Sequence, residues 1–275
     1  MVLPAGIVPY RTYAPDRAPE SAPTIVALHG LRGDHHGLEP IVSHLPRLRV
    51  VVPDLPGFGE TPPLEGRAHD VAGYAAWARE FVEAVAPGAA LLGHSFGSIV
   101  AAHAVADGLA VERLVLVTPI AGSALAGPRR VLTRATVLVH RLAAALPEPV
   151  GAGLLRSRAF TRIASVAMVK TRDRELRRWI HAEHDRFFGG FADRRTLLEA
   201  YTASVSGGVD AAAPRITVPT LVIATALDDI TPPAEQRRLV GLFPDARLAE
   251  LDGTGHLVHY ERPDAVGALV EEFVA

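Results

Sequence analysis

The pentapeptide Gly93-His94-Ser95-Phe96-Gly97 constrains the fold of this chain more than any other stretch, because of what flanks it. An apolar run, Ala89-Ala90-Leu91-Leu92, leads in. A run of small and apolar residues with helical character, Ser98-Ile99-Val100-Ala101-Ala102, leads out. G-x-S-x-G between a strand and a helix is a sharp turn that holds its serine in a strained backbone conformation. Gly93 and Gly97 carry no Cβ, so strand and helix can approach closely. Ser95 Oγ is therefore expected at the carboxyl end of a strand, in front of a helix N-terminus.

Such a turn needs a sheet around it, and short apolar runs alternate with helical patterns as βαβ units require. Strands are expected at Thr24 to Leu28, Arg49 to Val52, Ala89 to Leu92, Arg113 to Val117, Thr220 to Ala224 and Arg247 to Leu251. Most are nearly continuous apolar runs, the signature of parallel strands buried on both faces. Helices are expected around 37–45, 71–86, 96–107, 234–242 and 263–274, and Gly6 to Tyr13 reads as an antiparallel edge strand. The fold class is α/β, a mostly parallel central sheet flanked by helices. The rhythm breaks between Pro119 and Pro214, where helical periodicity continues without a convincing strand. Residues 120–213 hold 15 Lys/Arg and 8 Asp/Glu, a net of +7 that leaves −9 on the remainder. We read 1–118 with 215–275 as one body, and 119–214 as a helical lid inserted between two strands and overhanging Ser95.

With 275 residues, 49% hydrophobic and 21% charged, the chain can bury a core as one domain plus an insertion. The net charge of −2 supplies no basic field for nucleic acid. The absence of cysteine excludes disulfides, thiolate metal sites and a cysteine nucleophile. No run approaches the ~18 apolar residues of a membrane span. The first residues lack the basic and apolar regions of a signal peptide, so the expected compartment is the cytoplasm. Monomer and homodimer are equally compatible with this composition.

A serine hydroxyl attacks only when a base takes its proton, and the base needs a third group to fix its tautomer. Asp252-Gly253-Thr254-Gly255-His256 puts a histidine in a glycine-rich loop after the last expected strand. Asp228 and Asp229 lie in a loop after the preceding one, before Pro232 and Pro233. The chain order Ser95, Asp228 or Asp229, His256 is that of the Ser…Asp…His hydrolases.

On these residues the chain resembles the α/β-hydrolases, in their lidded C–C hydrolase and esterase-like branch. The resemblance covers 24–118 and 215–275. It rests on His29-Gly30, Asp54-Leu55-Pro56-Gly57-Phe58-Gly59, Gly93 to Gly97, and Gly253 to His256 followed by Arg262-Pro263. It implies Ser95 as nucleophile, His256 as base and the backbone N–H groups of Leu31 and Phe96 as an oxyanion hole. The family's acid commonly stands four residues before a proline, which favours Asp228, with Asp229 a loop or capping residue. Gly30, Arg32 and His94 near the nucleophile, with Trp179 and Phe187 on the lid, are the candidate substrate contacts. Phe188, Phe191 and Tyr201 are candidates for an apolar ceiling, and His35 and His36 for the pocket entrance.

The remaining histidines read as packing residues. His103 falls on the helix after Ser95, and His259 follows His256 by three residues. His181-Ala182-Glu183-His184-Asp185 lacks the H-E-x-x-H order of a metalloprotease and reads as a solvated helix face, so no metal is expected. The expected activity is cofactor-independent hydrolysis of a small or medium-sized ester, thioester or related carbonyl substrate. Serine rather than aspartate at position 95 argues against dehalogenase or epoxide hydrolase chemistry. Two alternatives are C–C hydrolysis of a diketone, with Arg32 or a lid arginine holding its carboxylate, and a non-hydrolytic ligand-binding protein.

Overall fold

A computed structural model describes residues 2–3, 6–14, 22–125 and 130–275. Its centre is a seven-stranded sheet. In chain order the strands are β1 (Val2–Leu3), β2 (Gly6–Ile7), β3 (Tyr10–Tyr13), β4 (Thr24–Leu28), β5 (Arg49–Pro53), β6 (Ala90–His94), β7 (Leu114–Val117), β8 (Thr220–Thr225) and β9 (Ala246–Leu251). The sheet runs β3-β5-β4-β6-β7-β8-β9, and β1 pairs with β2 apart from it. Only β3 is antiparallel, with Tyr10 opposite Pro53 and Tyr13 opposite Val50. The parallel register sets Ile25 beside Ala90, Leu91 beside Leu114, Leu114 beside Thr220, and Thr220 beside Ala246. The predicted N-terminal edge strand is thus confined to Tyr10–Tyr13. Gly6, at φ +108, and Ile7 belong to the separate pairing, and Pro9, which has no N–H to donate, stands between the two.

The helices are α1 (Glu39–Val42), α2 (Val71–Val85), α3 (Phe96–Ala106), α4 (Arg130–Ala145), α5 (Glu148–Leu155), α6 (Arg158–Met168), α7 (Arg174–Phe187), α8 (Arg194–Ser206), α9 (Pro233–Val240), α10 (Val258–Glu261) and α11 (Pro263–Val274). The central strands read as unbroken apolar runs because alternate residues serve two cores. Val26, Leu28, Leu91, Leu114 and Leu116 face α2 and α3, where Tyr74, Trp77, Phe81 and Ile99 complete one cluster. Ile25, Ala27, Leu92, Val115 and Val117 face the other side, against Ile41, Val266 and Val270. Helix α3 is apolar around its circumference and correspondingly buried. Helix starts follow the sequence: the carboxylates of Asp70, Asp173 and Asp193 accept backbone N–H groups of the first turns of α2, α7 and α8.

Between β7 and β8 the described residues form five helices, α4 to α8. Their one strand-like element is an isolated antiparallel bridge from Phe191 to Phe58. Residues 126–129 of the expected lid lie outside the described residues.

The crossing of α3 over the sheet leaves no room at two glycines. A Cβ on Gly97 would lie 2.3 Å from the Leu28 carbonyl oxygen, and one on Gly93 would lie 2.3 Å from that of Gly97. Gly153 in α5, by contrast, faces open space. Gly97→Ala is expected to cost more than about 3 kcal/mol through backbone displacement. Gly153→Ala is expected to be neutral or stabilising by up to about 1 kcal/mol. Urea titration of both variants checks this, and equal effects would refute the crossing argument.

Candidate active site

Ser95 sits between β6 and α3 at φ +53, a left-handed conformation that a side-chain-bearing residue holds only under constraint from its surroundings. The constraint is visible. The Ser95 amide donates to the Val117 carbonyl at 3.1 Å, and its own carbonyl accepts from the Ser98 amide at 2.9 Å. Its Oγ lies 2.7 Å from His256 Nε2. His256 Nδ1 lies 3.0 Å from Asp228 Oδ2. Asp228 is the acid that reaches the histidine; Asp229 instead pairs with Lys170 Nζ.

Local sequence explains how each partner is held. Asp228 is buried, and its Oδ1 accepts the Ile230 amide at 2.7 Å and the Thr231 amide at 3.1 Å, a turn such short acidic side chains favour. Gln236 on α9 donates to Oδ2 from 3.3 Å. Four donors including His256 therefore fix one carboxylate. The loop after β9 is braced by Glu261, whose buried carboxylate accepts the Thr254 hydroxyl at 2.7 Å and the Gly255 amide at 3.0 Å. The same Glu261 accepts the amides of Lys170 and Thr171 at 2.6 and 2.8 Å, which joins the histidine loop to the segment between α6 and α7.

The loop after β4 is a tight turn, with the Gly33 amide on the Gly30 carbonyl at 3.2 Å and Arg32 at φ +65. His29 Nδ1 contacts the Gly30 carbonyl at 2.8 Å, so its Nε2 is free to accept the Leu55 amide, also at 2.8 Å. Burial keeps His29 below its ordinary pKa, consistent with that neutral tautomer. Asp54 ties the neighbouring loop: it accepts from the His35 amide at 2.7 Å, His35 Nδ1 at 2.9 Å and the Glu60 amide at 2.9 Å. Burial alone would raise the Asp54 pKa, but the His35 hydrogen bond and the nearby histidines bring it down to about 2.

A cavity of about 410 Å³ opens over Ser95. Gly30, Leu31, Arg32, His94 and His256 line its body side, and Phe160, Met168, His184, Phe188 and Tyr201 line it from α4–α8 and their connections. His94 is buried and neutral, lowered to about 3 by burial and by His256. Its ring packs 4.0 Å from that of His259, which also lines the cavity. Phe96 lies with its side chain in the core, edge-on to Tyr74, leaving its amide at the start of α3. Helix starts carry such unsatisfied donors.

Two expected substrate contacts lie elsewhere. Trp179 is 40% exposed and packs edge-on to Tyr260 at 5.4 Å, while Phe187 stacks on His36 at 3.9 Å. Neither lines the cavity, whereas Phe188, the residue after α7, does. Phe191 lies behind the wall against Arg32 and Arg156. His184 is buried rather than solvated. Its Nδ1 and that of His181 share the Ser165 hydroxyl at 2.7 and 2.6 Å, and burial lowers His184 to about 4. His103 contacts the Gly208 carbonyl. Asp34, His35 and His36 bring ligand-type atoms within 4.8 Å of one another, but His35 Nδ1 is engaged by Asp54 and His36 Nδ1 by Asp34. Sequence reasoning missed Glu261 and Lys170; the only local signal was the Glu261-Arg262-Pro263 run after His256.

A family model described as the alpha/beta hydrolase family matches residues 25–269. The chain belongs to that family. Among solved structures, this alpha/beta hydrolase resembles an esterase from Exiguobacterium antarcticum with a TM-score of 0.78 at 15% identity, covering 99% of this chain and 97% of that one. It resembles an enol-lactonase from Burkholderia xenovorans LB400 with a TM-score of 0.71 at 24% identity, covering 97% and 95%. A stretch of 82 residues is 34% identical to part of polyketide synthase ThaQ from Burkholderia thailandensis, covering 30% of this chain and only 4% of that protein. No helix among the described residues is long and apolar enough to cross a membrane.

Asp54 offers a test of the brace beneath the site. Its pKa is lowered on folding from 3.8 to about 2, so its contribution is present above pH 3.8 and is lost as pH falls toward 2. At about 1.4 kcal/mol per unit this is ~2 kcal/mol. Between pH 5 and pH 2 the wild type should therefore lose about 2 kcal/mol more stability than Asp54→Asn in urea titrations. Parallel pH curves would show that Asp54 does not carry this energy.

Proposed function

We propose that this alpha/beta hydrolase cleaves a small or medium-sized ester or related acyl substrate through an acyl-serine intermediate. The observation that carries the reading is the hydrogen-bonded chain from Ser95 Oγ through His256 to Asp228, beneath a largely apolar cavity. The esterase and enol-lactonase among its structural relatives support a carbonyl–oxygen bond as the target.

His256 Nε2 takes the Ser95 proton as Oγ bonds to the carbonyl carbon, and the carbonyl π pair moves onto oxygen. The amides of Leu31 and Phe96 are the donors for that oxyanion, the Leu31 amide from the turn after His29-Gly30 and the Phe96 amide from the start of α3. Collapse restores the carbonyl and breaks the bond to the leaving oxygen, which takes the proton from His256. Water then repeats the sequence and releases the acid. Asp228 keeps His256 Nδ1 protonated and stabilises the imidazolium. Residues 119–214 act as a cap over this chemistry: α4–α8 and their connections supply about a third of the residues that line the cavity and so set which acyl group fits.

A fluorophosphonate should label Ser95, and Ser95→Ala should abolish labelling while leaving thermal stability intact. Asp228→Asn should lower kcat by about 10⁴, and Asp229→Asn by less than about tenfold. The opposite ranking in ester kinetics would overturn the acid assignment. Phe188→Ala should shift KM and acyl-length preference across 4-nitrophenyl esters more than it changes the rate of phosphonate labelling. Equal effects on both would remove the cap from substrate selection.

A further inference from the structure

Arg32 is a cation buried without a counter-ion. It is 5% exposed, and no ion pair among the described residues includes it. Its Nη2 donates to the Leu155 carbonyl at 2.8 Å and its Nε to the Phe188 carbonyl at 3.3 Å, the carbonyls at the ends of α5 and α7. Phe160 and Phe188 flank the guanidinium at 5.1 and 5.4 Å, and both line the cavity over Ser95. Nη1 has no partner. Carbonyls and ring faces offset part of the desolvation of a guanidinium, but buried charges are ordinarily paired. Burial has pulled even this arginine down to about 10.

A second orphan stands on the same ring. His140 Nδ1 contacts the Thr136 carbonyl at 2.9 Å, so Nδ1 carries the proton and Nε2 is left with a lone pair. Nε2 is buried and has no hydrogen-bond partner among the described residues. His140 packs edge-on to Phe160 at 5.9 Å and stacks on Tyr201 at 4.2 Å, and it too lines the cavity. Two unsatisfied polar atoms thus lie on residues that pack around Phe160 in the cavity wall.

We propose that the wall at Arg32 and His140 is an anion subsite, and that the preferred substrates are half-esters or half-thioesters of dicarboxylic acids. This rests on the acyl-serine reading above and names its substrate class. The scissile carbonyl would lie at Ser95 and the distal carboxylate would accept from Arg32 Nη1. Because Nη1 is closed off from solvent, Phe160 or Phe188 must rotate to admit the carboxylate. His140 can hold a proton on Nε2 beside the anion and donate a second hydrogen bond.

The test compares mono(4-nitrophenyl) glutarate with 4-nitrophenyl valerate, which differ in the terminal carboxylate. Wild type should favour the glutarate by at least tenfold in kcat/KM. Arg32→Gln should lower that preference at least 30-fold, chiefly through KM, and Arg32→Lys should lower it less. If Arg32 is only a strut between α5 and α7, both esters lose equally and the ratio stays fixed, which overturns the proposal. A binding arm runs without turnover: millimolar monomethyl glutarate should raise the Tm of Ser95→Ala protein more than methyl valerate, which has no carboxylate, does. If neither 4-nitrophenyl ester is cleaved but monomethyl glutarate stabilises selectively, the anion subsite stands and the acyl-serine reading falls. Equal stabilisation by the two methyl esters, with no wild-type preference between the 4-nitrophenyl esters, refutes the subsite. These last two measurements also decide the matter if the Arg32 variants fail to fold.

Discussion

The close crossing of α3 over β4 and β6 is the constraint on which the rest of the structure depends. Gly97 lies against the Leu28 carbonyl and Gly93 against Gly97, so the chain has only a backbone's thickness in which to reverse direction. The reversal leaves Ser95 at φ +53 at the carboxyl end of the sheet. The strain is held by the buried strands on either side, whose residues supply two cores at once. With Ser95 so fixed, β7, β8 and β9 can each deliver one loop to the same edge. Those loops bring Thr118, Asp228 and His256, and the His256 carbonyl accepts the Thr118 hydroxyl at 3.3 Å.

The helical segment is moored to the body beside the reacting groups rather than at its ends alone. Lys170 pairs with Asp229, the neighbour of Asp228, while Glu261 clasps the amides of Lys170 and Thr171 together with those of the histidine loop. On the other side the Gly59 amide donates to the Gly190 carbonyl at 3.0 Å and the Ala192 amide to that of Gly57 at 2.9 Å. Arg32 makes the third mooring through the ends of α5 and α7. All three attach to loops that line or brace the cavity. Displacement of these helices would therefore disturb the loops around His256, Asp228 and Leu31 directly, by breaking buried hydrogen bonds that leave unsatisfied partners behind.

The parts of this architecture legible in the sequence are those governed by local rules. Strands buried on both faces announce themselves as apolar runs, and the glycines at 93 and 97 mark a crossing that nothing larger permits. The proline spacing favours Asp228 through the family resemblance; the structure sets that carboxylate 3.0 Å from His256 Nδ1, and the turn that makes Ile230 and Thr231 its donors is local. Trp179 and Phe187 show where this reasoning stops. Periodicity finds the faces of α7, but not that Trp179 packs on Tyr260 and Phe187 on His36 while His184 lines the cavity. His184 failed for the same reason, since a charged-looking stretch hides a buried residue satisfied by Ser165 on another helix. Glu261 and Lys170 are joined across 91 positions, and no local pattern encodes such a pairing.

The histidines around Ser95 give the cavity its electrical character. Burial holds His94, His184 and His259 below their ordinary pKa, and for all three neighbouring imidazoles add to the effect. Burial favours the neutral form of each, and the rings of His94 and His259 pack 4.0 Å apart. In the proposed reaction, proton transfer from Ser95 would create a cation on His256 at the edge of this cluster. A protonated His94, its ring 5.7 Å away, would oppose that charge in a medium of low polarity. A neutral one does not, so the imidazolium can be stabilised by Asp228, whose own geometry is already fixed by three other donors. In the proposed reaction, the burial that keeps His94 uncharged leaves no charged imidazole there to oppose the transfer of the Ser95 proton.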